Sequence, residues 1–136
     1  MTAIAKLTTD KKRGAIFEEY VQDYFERRGW TIKRAKGYVP GWDLILTRDK
    51  VSIYVEVKHD LMSDRTWNYA LEFASLEHTQ SSVLIIGTIE ESYAIPMETA
   101  RALFNEYPKV QSGDQAYNYS ALIPKIVFQQ GGYQRL

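Results

Sequence analysis

Asp43, Glu56 and Lys58 are the residues of this chain whose types and spacing could do chemistry together. Val51, Ile53, Val55 and Val57 alternate with Ser52, Tyr54, Glu56 and Lys58. That period of two puts the aliphatic side chains on one face of a strand and Glu56 and Lys58 on the other. A shorter apolar run, Leu44-Ile45-Leu46, precedes it and opens at Asp43. If Asp49-Lys50 form a two-residue turn, Asp43 lies directly opposite Glu56, with Cβ atoms about 4.5–5.5 Å apart. Asp-Lys is a poor match to the Asn-Gly or Asp-Gly that such turns favour, so the turn residues do not fix this register. Two carboxylates this close repel each other, and burial makes their ionised forms costly. A divalent cation between them removes both problems, and oxygen ligands suit Mg²⁺ or Mn²⁺. Lys58 cannot ligate such an ion; its ammonium can stabilise charge developing on a phosphate or hold the attacking water.

An Asp followed, after a short hairpin, by a strand carrying Glu-x-Lys resembles the PD-(D/E)xK nucleases. These include type II restriction enzymes, archaeal Holliday-junction resolvases and phage nucleases. The motif stands here as Asp43, then Glu56-Val57-Lys58, with Trp42 in place of the Pro. The resemblance spans roughly the first sixty residues and implies metal-dependent hydrolysis of DNA, with Asp43 and Glu56 holding the ion. In the resolvase branch a Gly-x-x-x-Glu pattern on the first helix supplies a third acid, which stands here as Gly14 to Glu18. Helical phase supports that choice. At 100° per residue Glu18 borders the apolar stripe, whereas Glu19 points away with Gln22, Asp23 and Glu26. Some phage-encoded relatives carry Thr-Gly-Asn followed by a Glu. Thr66-Trp67-Asn68 with Glu72 is similar, but Trp67 replaces the Gly, and an ordinary polar strand face is the preferred reading.

The elements that must position these groups follow from pattern. The spacing of Phe17, Tyr20, Val21, Tyr24 and Phe25 predicts a helix over 9–28, capped by Thr8, Thr9 or Asp10 and stopped by Gly29. A strand is expected over 30–36, with Trp30 and Ile32 inward and Lys33 outward. Residues 37–41 form a loop by their glycines and proline. Beyond a polar loop at 60–65, Trp67, Tyr69, Leu71 and Phe73 alternate as a fourth strand, with a helix over 67–76 as the alternative. Strands over 83–88 and 92–95 follow, then a helix from Met97 to Tyr107 started by Pro96 and stopped by Pro108. Leu122 to Phe128 reads as an edge strand, because Pro124 cannot donate to a ladder. Tyr117, Tyr119, Tyr133 and Phe128 cap the core or cover a partner.

The expected fold is α/β: a restriction-endonuclease-like central mixed β-sheet flanked by helices, with the site on an antiparallel hairpin. With 136 residues the chain is expected to be a single domain over 1–136. It has no cysteine, which excludes disulfides and thiolate metal sites. No apolar run approaches membrane-spanning length, so a cytoplasmic protein, of a kind phages also encode, is the expectation. His59 and His78 have no third His or Cys nearby, which argues against zinc. There is no nucleotide-binding loop and no Ser-His-Asp context.

Net charge is zero, with 17 basic and 17 acidic residues, but nine of the basic and only five of the acidic ones fall within residues 1–40. Such asymmetry can place a basic face beside an acidic metal site. Arg13, Lys33, Arg34, Lys36 and Arg65 are the candidate nucleic-acid contacts, with Tyr38 beside them. Backbone contacts of that kind carry affinity without sequence information. The expected partner is DNA, branched or duplex, cut in preference at branched or distorted sites. A homodimer would present two sites for paired nicks. The alternatives are a sequence-specific endonuclease of restriction or homing type, an RNA nuclease, and a catalytically inactive DNA-binding module.

Overall fold

The computed structural model describes residues 3–35, 41–77, 79–111 and 119–136. Lys36, Tyr38, His78 and Tyr117 lie outside the described residues, as do the side chains of residues 3–11, including the proposed caps Thr8, Thr9 and Asp10. Helix α1 runs from Ala3 to Glu26, six residues longer at its start than the sequence pattern predicts. Nothing between Ala3 and Arg13 breaks a helix, so Thr8, Thr9 and Asp10 are interior positions rather than caps. Its end is as expected: Gly29 takes φ +89°, and the Gly29 and Trp30 amides close the last turn on Glu26 and Phe25 carbonyls.

The main sheet has six strands: β1 (Thr31–Arg34), β2 (Leu44–Arg48), β3 (Val51–His59), β5 (Val83–Gly87), β6 (Ser92–Pro96) and β9 (Gln134–Arg135). They lie side by side in that order, and every neighbouring pair is antiparallel except β3 and β5. A parallel pair needs a long crossover. That crossover holds the short helix α2 (Ser63–Thr66), strand β4 (Asn68–Glu72) and helix α3 (Phe73–Glu77). Strand β4 belongs to a second, antiparallel sheet with β8 (Tyr119–Pro124) in its middle and β7 (Lys109–Gln111) at its far side. Helices α4 (Met97–Glu106) and α5 (Lys125–Gln130) complete the chain.

The expected α/β architecture is thus present, a mixed central sheet flanked by helices. The last strand corrects the expectation. Residues 119–124 form a central strand, and Pro124 ends it as the cap residue of α5 instead of marking an edge. The chain beyond it is helical, and Phe128 is fully buried. Tyr119 and Tyr133 pack against the core rather than standing free.

Two cores lie on opposite faces of the main sheet. Phe17, Val21 and Phe25 of α1 pack on Leu44, Leu46, Val55 and Ile85. The other face carries Leu84, Ile86 and Ile95 against Leu103 and Phe104 of α4 and Tyr69, Leu71 and Ile123 of the second sheet. Strands β5 and β6 therefore send alternate residues into different cores, which fixes register, because a one-residue slip would exchange them.

Candidate active site

The β2–β3 hairpin turns at Asp49 and Lys50, whose φ values are 50° and 66°. Two successive left-handed residues make the tight turn whose twist matches paired strands. Pairing of Leu44 with Val55 then sets Asp43 opposite Glu56, as the sequence predicts. Because Leu44 and Val55 are buried beneath α1, Asp43 and Glu56 point to the other face of the sheet.

Asp43 is held from several directions. Its amide donates to the Val55 carbonyl at 2.9 Å, and its carbonyl accepts from the Ala35 amide at 2.9 Å. Its Oδ2 accepts from the Val57 amide at 2.8 Å. The chain enters through Gly41, at φ +105°, where an added Cβ would stand 3.0 Å from Gln80 Cγ. The Gly41 carbonyl accepts from Thr79 Oγ1 at 2.9 Å, Ser81 Oγ at 2.7 Å and the Gln80 amide at 3.0 Å. The segment before β5 is thereby tied to the segment before β2, and Thr79 Oγ1 also reaches Glu56 Oε2 at 3.5 Å.

Burial, and after it the charge of Asp43, push the Glu56 carboxyl up to about 7 against the opposing pull of the Thr79 hydroxyl and Lys58. Burial also raises Asp43, opposed by the Val57 amide. Two half-buried carboxyls that each resist ionisation make a donor pair that a hard divalent cation relieves. The residues present therefore fit Mg²⁺ or Mn²⁺ held by two carboxylates, its other positions left to water and substrate oxygens. Among the described residues no group of three or more Asp, Glu, His or Cys side chains is gathered closely enough to hold a metal.

Lys58 projects from the same face as Glu56, and its Nζ donates to Glu72 Oε1 at 2.5 Å. Glu72 ends β4 of the second sheet, so this ion pair bridges the two sheets at the site. The sequence shows Asn68 and Glu72 on a shared polar strand face but gives no signal that Glu72 meets Lys58. Nor does it single out Thr79. Trp67 stands at φ 59° in the left-handed region, a conformation that glycine adopts without strain.

The remaining expected residues are more scattered. Glu18 does lie on the inward side of α1, but its Oε2 accepts from Arg34 at 2.7 Å. Lys33 pairs across β2 with Ile45, and Ile45 with Tyr54, so Lys33 shares the face of the two carboxyls. Its neighbour Arg34 is on the α1 side. Arg13 is exposed and lines a cleft of about 390 Å³ with His59 and Glu90, and Arg65 is exposed on α2. The His59 ring stacks on Phe17 at 5.2 Å, and burial lowers its pKa, so it acts as a packing group. Asp60, buried, accepts from the Ala70 amide at 2.8 Å and fixes β4 to the end of β3.

A family model described as a restriction endonuclease, Mrr_cat, matches residues 9–72, the stretch that carries α1, the hairpin and β4. Over that stretch the chain is similar in sequence to restriction endonucleases. The chain's fold is similar to that of a bacterial homing endonuclease, I-Ssp6803I, with a TM-score of 0.58 and 18% identity over 78% of each chain. No curated protein matches the sequence. Among the described residues no helix is long and apolar enough to cross a membrane.

Proposed function

We propose that this domain hydrolyses phosphodiester bonds of DNA as a divalent-metal-dependent endonuclease. The observation that carries the reading is Asp43 facing Glu56 across the hairpin, both carboxyls pushed up by burial, with Lys58 one step along the same strand face. Bound Mg²⁺ or Mn²⁺ would neutralise charge on the scissile phosphate and favour ionisation of the water that attacks it. Asp43 and Glu56 hold the ion, and the Val57 amide and Thr79 hydroxyl keep the two carboxylates aimed. Lys58, oriented by Glu72, presents its ammonium to the phosphate and the attacking water. Glu18 is the candidate third acid from the α1 side of the sheet, freed once Arg34 turns to a DNA phosphate. That exchange costs little, because an exposed ion pair is worth about 0–1 kcal/mol.

Lys33, Arg34, Arg13 and Arg65 contact the DNA backbone, and a homodimer places two sites on one substrate. We favour branched or distorted DNA, because a small domain offers little surface for reading bases in a groove. The fold shared with a homing endonuclease favours a second reading, cleavage at a specific sequence. Incubation with Mg²⁺ and linear, flapped, four-way-branched and single-stranded substrates separates them. Preference for branched forms over linear duplex supports structure selectivity; one preferred cut in linear duplex supports the second reading. No cleavage of any DNA by the metal-supplemented protein refutes both.

A further inference from the structure

Strands β1, β2 and β3 have one closed face and one open face. On the α1 side Leu44, Leu46 and Val55 are buried. On the side of Asp43 and Glu56, Thr31, Lys33, Ile45, Thr47, Ser52 and Tyr54 are all exposed or half-buried. Tyr54 lies two residues before Glu56 on the same face, about 7 Å away along the strand. It is 37% exposed, and its ring meets the Trp42 ring edge-on at 5.9 Å. Trp42 in turn is the residue next to Asp43. Two aromatic rings thus adjoin the candidate metal ligands along both strands. The cross-strand row Tyr54–Ile45–Lys33 continues from them to an exposed cation.

We infer that the Trp42–Tyr54 pair is a stacking ledge for an unpaired base of the strand whose phosphate lies at Asp43 and Glu56. This rests on the nuclease reading above and narrows its substrate to DNA that offers unstacked bases. The spacing fits: about 7 Å from Glu56 is about two base rises of 3.4 Å along one strand. A base inside a duplex has both faces covered, so only an unpaired or extruded one can lie on a side-chain ring. The edge-on contact with Trp42 holds the Tyr54 ring in place, which lowers the entropy lost on stacking. Lys33, in the same row, is placed to meet the phosphate of the stacked nucleotide.

The test measures binding in EDTA, without cleavage, so that its failure is distinct from failure of the nuclease reading. Fluorescence anisotropy compares a labelled single strand and a blunt duplex on wild type, Tyr54→Ser and Tyr54→Phe. Tyr54→Ser should weaken single-strand binding by about five- to 150-fold, the range for losing one base–aromatic stack. Duplex binding should stay unchanged, and Tyr54→Phe should match wild type on both. Equal losses on both substrates, or no loss on the single strand, would overturn the inference. If Tyr54→Ser does not fold, a single strand carrying 2-aminopurine decides with wild type alone. Its fluorescence should fall at saturation through ring stacking, and unchanged fluorescence would overturn the ledge.

Discussion

Replacing Glu56 with Gln should stabilise the metal-free protein at alkaline pH. The folded environment holds the Glu56 carboxyl up at about 7 against an ordinary value of 4.5. Between those values the folded state binds more protons at this site than the unfolded state does, so stability falls as pH rises through the window. Below about 4.5 both states are protonated and the penalty vanishes; above about 7 it is fully present. The gap sets an upper bound of about 3 kcal/mol. The carboxyl is only half buried, and solvent screening brings this to about 1–2 kcal/mol. Gln keeps the shape and cannot ionise, so it removes the penalty. In a domain of this size that should raise Tm by about 3–8 °C. Thermal melts followed by circular dichroism in EDTA at pH 4.5 and pH 8 give the comparison. The mutant should gain at pH 8 and gain little at pH 4.5. Adding Mg²⁺ at pH 8 should raise the wild-type Tm and leave the mutant's almost unmoved, because the ion needs the carboxylate. A mutant less stable than wild type at pH 8, or a gain as large at pH 4.5 as at pH 8, would refute the electrostatic reasoning.

Lys58→Met should lower the cleavage rate by about 10²–10⁴-fold while leaving DNA affinity within a few fold, read from single-turnover kinetics beside anisotropy. Glu72→Gln should cost less in rate, since Lys58 keeps its charge and loses only its orienting partner. Glu18→Gln should slow cleavage strongly and Glu19→Gln should not; equal losses in both would remove the case for Glu18, whose helical position alone separates them. Gly41→Ala should cost about 1–3 kcal/mol in a urea titration, because its φ of +105° strains any side chain and the Cβ would crowd Gln80.

The placing of Asp43 opposite Glu56 was legible from local pattern because a hairpin couples sequence separation to geometry. Once the turn falls at Asp49-Lys50, the alternation in β3 places Glu56 opposite Asp43 with no long-range information. The turn formed although neither residue is Gly, since burial of Leu44, Leu46 and Val55 under α1 imposes the register. The α1 stripe was equally local, and Phe17 and Val21 are fully buried as its spacing implies. The second sheet was not legible. Strand β4 pairs with β8 across more than forty residues of chain, and nothing within β4 announces that its partner is β8. The meeting of Glu72 with Lys58 depends on that sheet, so it was invisible for the same reason. Pro124 misled because a proline fits both a strand edge and a helix start, and only the position of β7 decides between them.

The central claim, that Asp43 and Glu56 together support cleavage, is tested most directly by single-turnover cleavage of labelled DNA in Mg²⁺. Wild type, Asp43→Asn and Glu56→Gln are compared at equal occupancy of the DNA, with anisotropy in EDTA establishing that all three bind. Cleavage by wild type alone, abolished by EDTA and absent from both variants at matched binding, is the predicted result. Wild-type rates in either variant, or cleavage undiminished by EDTA, would contradict it.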